Sequence, residues 1–136
     1  MFDTSAFAKR YIDEYGTDAV IDVCQKTSEL LLCSLCVPEF ISVLARLKRE
    51  NKITSLQYKK IKTAFLLDIK DAVICQISQE IIIKSVPLLE KYTLRTLDSL
   101  HISSAQIMLP DLFVSADKRQ LEAAKGEGLK VLSVSS

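Results

Sequence analysis

Long apolar runs are missing from this 136-residue chain, and histidine occurs once, at position 101. No stretch reaches the roughly 18 apolar residues that span a bilayer. Nothing after Met1 supplies the charged region and cleavage site of a signal peptide. A cytoplasmic chain with no membrane partner is therefore expected. Cysteine is scarce as well. Cys33 and Cys36 form a C-x-x-C that could be half a zinc site or a redox pair, but no second pair follows and His101 stands alone, short of the four ligands of a structural zinc. Cys24, Cys33, Cys36 and Cys75 all lie among apolar neighbours and read as small buried hydrophobes rather than a disulfide framework. Repeats, linkers and low-complexity tracts are absent too. With 49% hydrophobic and 26% charged residues, the length suits one core and a single domain over residues 1–136.

What is present alternates in period. Met1 to Asp3 reads as the tail of a strand, and Ser5 to Tyr15 as a helix with Phe7, Ala8, Tyr11 and Ile12 on one face, stopped by Gly16. Thr17 or Asp18 would cap a second helix to about Gln25. Leu30 to Leu35 suits a strand buried on both faces. Pro38 fits the first turn of a third helix, where its missing donor costs nothing, and Phe40, Ile41, Val43, Leu44 and Leu47 supply the apolar stripe. Asn51-Lys52 breaks it. Thr54 or Ser55 caps a fourth helix to about Asp68, Ala72 to Ile77 is a strand, and Ser78 caps a helix carrying Ile82, Val86, Leu88 and Leu89, with Pro87 a kink near its end. Arg95 to Met108 is helical, Leu112 to Ser115 a strand, Asp117 to Lys125 a helix closed by Gly126 and Gly128, and Lys130 to Val134 the last strand. Apolar strands alternating with helices predict an α/β fold: a three-layer α/β/α sandwich on a mostly parallel sheet of four to five strands.

Four acids sit where an apolar run gives way to an amphipathic one: Asp3, Glu39, Asp98 and Asp117. In such a fold these junctions share one edge of the sheet, so the acids can meet in one crevice. Clustered carboxylates repel, raise one another's pKa values and invite a hard cation. Each acid also has a plainer reading. Asp117 can cap a helix, Asp98 and Glu39 can favour a first helical turn through the macrodipole, and Asp3 can simply be solvated. Capping accounts for each acid singly, but not for all four at one edge.

The charge is nearly balanced at +1 but unevenly spread. Arg46, Lys48, Arg49, Lys52, Lys59, Lys60 and Lys62 face Glu50 alone between positions 46 and 62, leaving 11 basic and 16 acidic residues elsewhere. A local basic patch is what a phosphate backbone requires. A solvated helical hairpin would look the same. Arg95, three residues before Asp98, could neutralise the acids or hold a phosphate. His101, one turn after Asp98, could shuttle protons or pack behind the site.

The ordered set Asp3-Thr4-Ser5-Ala6, Pro38-Glu39, Leu94-Arg95-Thr96-Leu97-Asp98-Ser99-Leu100-His101 and Phe113-Val114-Ser115-Ala116-Asp117-Lys118-Arg119, followed by Ala123-Ala124-Lys125-Gly126-Glu127-Gly128-Leu129, closely resembles the PIN domain, and within it the VapC-type toxins. The likeness runs from the first residue to about Leu132. It implies a small ribonuclease dependent on Mg²⁺ or Mn²⁺, a homodimer, and inhibition by a cognate VapB-like antitoxin. Carried over by motif, the acids map onto Asp3, Glu39, Asp98 and Asp117, with Asp3, Asp98 and Asp117 as metal ligands, Glu39 as ligand or water-orienting base, and Ser5 beside the first acid. Arg46, Lys48, Arg49, Lys59, Lys60 and Arg95 would guide an RNA backbone. The chain departs from the family pattern in having only Met1 and Phe2 before the first acid.

Two other classes stay open. A metal-dependent phosphatase-like enzyme also places acids at strand ends, but it wants Asp-x-Asp, whereas Thr4-Ser5 follows Asp3. A non-catalytic PIN-like binding module is the second.

Overall fold

Four three-residue strands carry the sheet: β1 (Leu31–Cys33), β2 (Val73–Cys75), β3 (Phe113–Ser115) and β4 (Val131–Ser133). They belong to a computed structural model that describes residues 1–135. β1 pairs with β2 and β3 with β4, both in parallel. The N-terminal segment joins the two pairs, since Phe2 bridges Leu32 on one side and Val114 on the other. Phe2 N–H donates to the Leu31 carbonyl (3.2 Å), Asp3 N–H to that of Val114 (3.1 Å) and Val114 N–H to that of Met1 (2.8 Å). The lateral order is therefore β2, β1, Met1–Asp3, β3, β4. Chain progress across the sheet reverses at the N-terminal segment, and a crevice opens outside the carboxyl ends of the strands at such a point.

Seven helices cover the two faces: α1 (Thr4–Phe7), continued by a 3₁₀ turn (Ala8–Arg10), α2 (Thr17–Lys26), α3 (Cys36–Arg49), α4 (Ser55–Asp71), α5 (Gln79–Lys91), α6 (Thr96–Met108) and α7 (Lys118–Gly126). Alternation along each strand divides the core in two. Phe2, Leu32, Ile74, Val114 and Leu132 pack with α1 to α4, while Met1, Leu31, Cys33, Phe113 and Val131 pack with α5 to α7. The first core is aromatic: Phe40 and Phe65 lie 4.5 Å apart between centroids, with Phe7 and Tyr11 against them. The second sets Met1, Leu88, Ile102 and Phe113 against the small residues Cys33, Ala105, Ala123 and Ala124. Cys33 and Cys36 thus lie in opposite cores and both are free thiols. Burial pushes the Cys36 thiol up to about 12, in keeping with an inert packing role.

Several local expectations are corrected. The helix predicted over Ser5 to Tyr15 ends at Arg10. Gly16 adopts a left-handed turn (φ 92°), and Thr17 Oγ1 accepts from Glu14 N–H and donates to the Ile12 carbonyl. These side-chain bonds compete with helical ones. Thr17 is accordingly the first residue of α2, not its cap. In α5 the buried positions are Ile81, Ser85 and Leu88, whereas Ile82, Val86 and Leu89 face outward with Ile83. The apolar residues encircle this helix, so composition alone could not choose its inner face. Pro87 lies inside α5, which continues to Lys91. β2 and β4 are edge strands and less buried than expected, with Val73 exposed. The strands expected over Leu30 to Leu35 and Ala72 to Ile77 shorten to three residues each and α4 runs on to Asp71, while the Ser78 cap holds and Thr54 caps α4 in a full capping box with Gln57.

Candidate active site

Parallel strands all end at one edge, and the residues that follow them line a crevice of about 810 Å³ there. Asp3, Ser5, Glu39, Asp98 and Asp117 all line it, along with Thr4, Lys9, Arg46, Arg95, His101 and Gln120. Lys48, Arg49, Lys59 and Lys60 do not; they are exposed on the last turn of α3 and on α4. Lys48 lies over the Tyr58 ring, 5.1 Å from its centroid.

Asp3 follows the central segment directly and is only 2% exposed. It caps α1, accepting from Ala6 N–H (2.9 Å), and takes the Ser115 hydroxyl on Oδ2 (2.6 Å) and that of Ser5 on both oxygens (2.8 and 2.9 Å). The solvated reading of Asp3 is thereby excluded. Desolvation raises its pKa above the ordinary value, and the bonds from Ser115, Ala6 and Ser5 offset this only in part. No Lys, Arg or His among the described residues pairs with it.

Glu39, in the first turn of α3, accepts on one oxygen, Oε1, from the Thr4 hydroxyl (2.8 Å) and from Nε2 of His101 (2.6 Å). Burial alone would raise its pKa. The hydrogen bond from His101 outweighs that, with help from Thr4, and holds it below the usual carboxylate value.

Asp98, in the first turn of α6, accepts from Arg95 Nε (3.1 Å) and from the side-chain amide of Gln120 (3.1 Å). Asp117 caps α7, accepting from the backbone N–H of Arg119 and Gln120, so its structural reading holds as well. Arg95, whose side chain is 80% exposed, also stands 3.8 Å from Asp117. Gln120 therefore ties the two acids together, its backbone bound to one and its amide to the other. That role, like those of Ser115 and Thr4, was not read from the sequence: three residues after Asp117 is a helical neighbour position, but which element it faces depends on packing.

The donor set is all oxygen, as hard divalent ions require. Among the described residues, however, no three His, Cys, Asp or Glu side chains are disposed to hold a metal as they stand. Much of their hydrogen-bonding capacity is taken by internal donors, and Arg95 engages two of the acids. The residues fit Mg²⁺ or Mn²⁺ in chemistry and in charge, because Asp3 is a buried carboxylate without a cation, and the exposed Arg95 is free to yield its place.

No curated protein sequence matches the chain. Among solved structures it resembles a toxin–antitoxin complex from Klebsiella pneumoniae at 15% identity and TM-score 0.67, covering 97% of this chain and 94% of that one. It also resembles VapC20 of Mycobacterium tuberculosis, described as a sarcin-ricin loop cleaving toxin, at 10% identity and TM-score 0.69, with 94% of each chain covered. At those identities the likeness carries the fold. The PIN domain family model matches residues 1–126, a span that takes in all four acids and Gln120, and the chain belongs to the PIN domain family.

Proposed function

We propose that this chain is a Mg²⁺- or Mn²⁺-dependent endoribonuclease, the toxin of a toxin–antitoxin pair, with residues 1–136 acting as one cytoplasmic nuclease domain. The observation that carries the reading is Asp3: a carboxylate buried at the switch point of a parallel sheet, with no cation paired to it among the described residues and three further acids around the same crevice. Asp3, Asp98 and Asp117 would hold the ion, and Glu39 would be a ligand or would orient the attacking water. When bound, the ion neutralises phosphate charge and acidifies water. The hydroxyls of Ser5 and Ser115 favour the ionised form of Asp3 and aim it, and Gln120 orients Asp98. Arg46 and Arg95 at the rim, with Lys48, Arg49, Lys59 and Lys60 beyond it, would guide the backbone of single-stranded or looped RNA.

The toxin reading draws support from the fold of the two structural relatives. A cognate VapB-like antitoxin would lay an apolar segment over the rim residues Ile12, Val43 and Leu47 and insert an Arg or Lys among the acids, where a guanidinium can pair with two carboxylates. The outward apolar face of α5, Ile82, Ile83, Val86 and Leu89, supports a homodimer. One observation favours a non-catalytic binding module instead: the acids do not converge as a trio.

A single experiment separates the two. RNA is incubated with the purified chain, with EDTA, and with Mn²⁺ added back, beside Asp98→Asn. Cleavage that EDTA abolishes, Mn²⁺ restores and Asp98→Asn lacks is expected. RNA bound but uncut in every condition leaves only the binding module.

A further inference from the structure

His101 is 1% exposed and lies at the inner wall of the crevice. Its Nε2 is 2.6 Å from Glu39 Oε1 and 3.4 Å from the Thr4 hydroxyl, which itself donates to the same oxygen at 2.8 Å. Its other nitrogen, Nδ1, is buried with no partner. A hydrogen on Nδ1 would be a buried donor left unsatisfied, whereas a hydrogen on Nε2 meets a carboxylate, so the geometry puts it on Nε2. Both donors thus converge on Oε1, and no donor among the described residues reaches Oε2.

We propose that His101 is a positioning residue: with Thr4 it clamps Oε1 of Glu39 and so presents Oε2, in one fixed orientation, to the crevice. A free glutamate samples many rotamers, and fixing one of them from behind is what such a supporting donor does for a functional carboxylate. Of the four acids the buried ring hydrogen-bonds only Glu39, while Asp98, on the same helix, is held by Arg95 and Gln120 instead. The inference rests on the nuclease reading for its catalytic consequence, but not for its geometry.

The chain's single histidine makes the geometry directly measurable. In ¹⁵N NMR of the whole protein the imidazole hydrogen should sit on Nε2, with its proton far downfield, and Glu39→Gln should move that signal; a hydrogen on Nδ1 alone overturns the proposal. Function is then read in three variants. The amide nitrogen of glutamine reaches about where Nε2 lies, whereas that of asparagine falls one methylene short. His101→Gln should keep Mn²⁺ affinity and RNA cleavage within about threefold, while His101→Asn and His101→Leu should lose tenfold to a hundredfold. Equal behaviour of the Gln and Asn variants, at matched melting temperatures, shows a residue that merely fills space and overturns the proposal. Should the wild type bind Mn²⁺ but cut no RNA, the nuclease reading falls, and the NMR and affinity comparisons still decide the role of His101. Should the variants fail to fold, the wild-type tautomer decides it.

Discussion

The two ends of the crevice solve the same electrostatic problem in opposite ways. Asp3 is almost fully buried, ringed by hydroxyls and one backbone N–H, with no cation paired to it. Asp98 and Asp117, at the outer end, share an exposed guanidinium from Arg95. The neutral donors of Asp3 stabilise its charged form without cancelling the charge, so the inner end keeps an unmet demand for a cation. Asp98 is itself buried, but the Arg95 side chain is 80% exposed and can turn to solvent, so the outer end can give up its partner without opening the core. Asp3, Asp98 and Asp117 are the residues that would hold a divalent ion in the proposed nuclease, with the side chain of Arg95 turned away to solvent.

The largest expected effect breaks the inner end. In the wild type, Mg²⁺ or Mn²⁺ should stabilise the fold by about 2.7 kcal/mol at a hundredfold excess over the dissociation constant. Asp3→Asn and Asp98→Asn should remain folded, lose that metal-induced melting shift, and lose cleavage by about two orders of magnitude or more. Melting shifts unchanged in both variants would remove the metal from the account.

Gln120→Leu comes next. Stripping Asp98 of its amide donor while leaving its charge should weaken Mn²⁺ binding about tenfold to a hundredfold, read by titration calorimetry. No change would mean that the amide contact is incidental.

Replacing Lys48, Arg49, Lys59 and Lys60 with Gln leaves both ends of the crevice intact and should flatten the salt dependence of RNA binding, by roughly 0.7 in log–log slope for each phosphate no longer neutralised. Equal slopes in variant and parent would place the RNA elsewhere. Arg95→Gln should have a smaller and opposite effect on the metal, raising Mn²⁺ affinity a few fold by freeing Asp98 and Asp117.

The smallest effect sharpens the contrast through pH. In EDTA, Asp3 binds its proton more tightly folded than unfolded, so its contribution falls as pH rises through the window that starts near its ordinary 3.8 and extends upward. Glu39 has the opposite sign: held below 4.5, it contributes stability above that value and loses it as pH falls through the folded value. The melting temperature of Asp3→Asn relative to wild type should therefore climb with pH from about 4, while that of Glu39→Gln should fall over the same direction of change. Parallel curves for the two variants would show that burial and hydrogen bonding do not divide the acids in this way.

Much of this was legible in the order of residues. Period and punctuation located every strand and nearly every helix, because an apolar strand between amphipathic helices must be covered on both faces. The acids were found for the same reason: the ends of parallel strands share an edge. The misjudged faces have a common cause. Where apolar residues circle a helix, as in α5 from Ile81 to Leu89, any face could be the inner one, and the rest of the molecule chooses. The early end of the first helix escaped notice because the two hydrogen bonds of Thr17 compete locally with helical ones in a way that composition does not record.

The string of residues by itself determined the alternating architecture, the parallel sheet, the edge at which the four acids gather and the two basic helices beside them, since each follows from local periodicity or from the handedness of crossovers. Packing in three dimensions settled the rest: that Asp3 is sealed from water while Asp117 stays half-open, that His101 turns to Glu39 rather than to Asp98 on its own helix, and that Gln120 reaches across to Asp98. Those outcomes depend on distances between side chains 22 to 112 residues apart. Burial and hydrogen-bond geometry at such separations come into being only when the core closes.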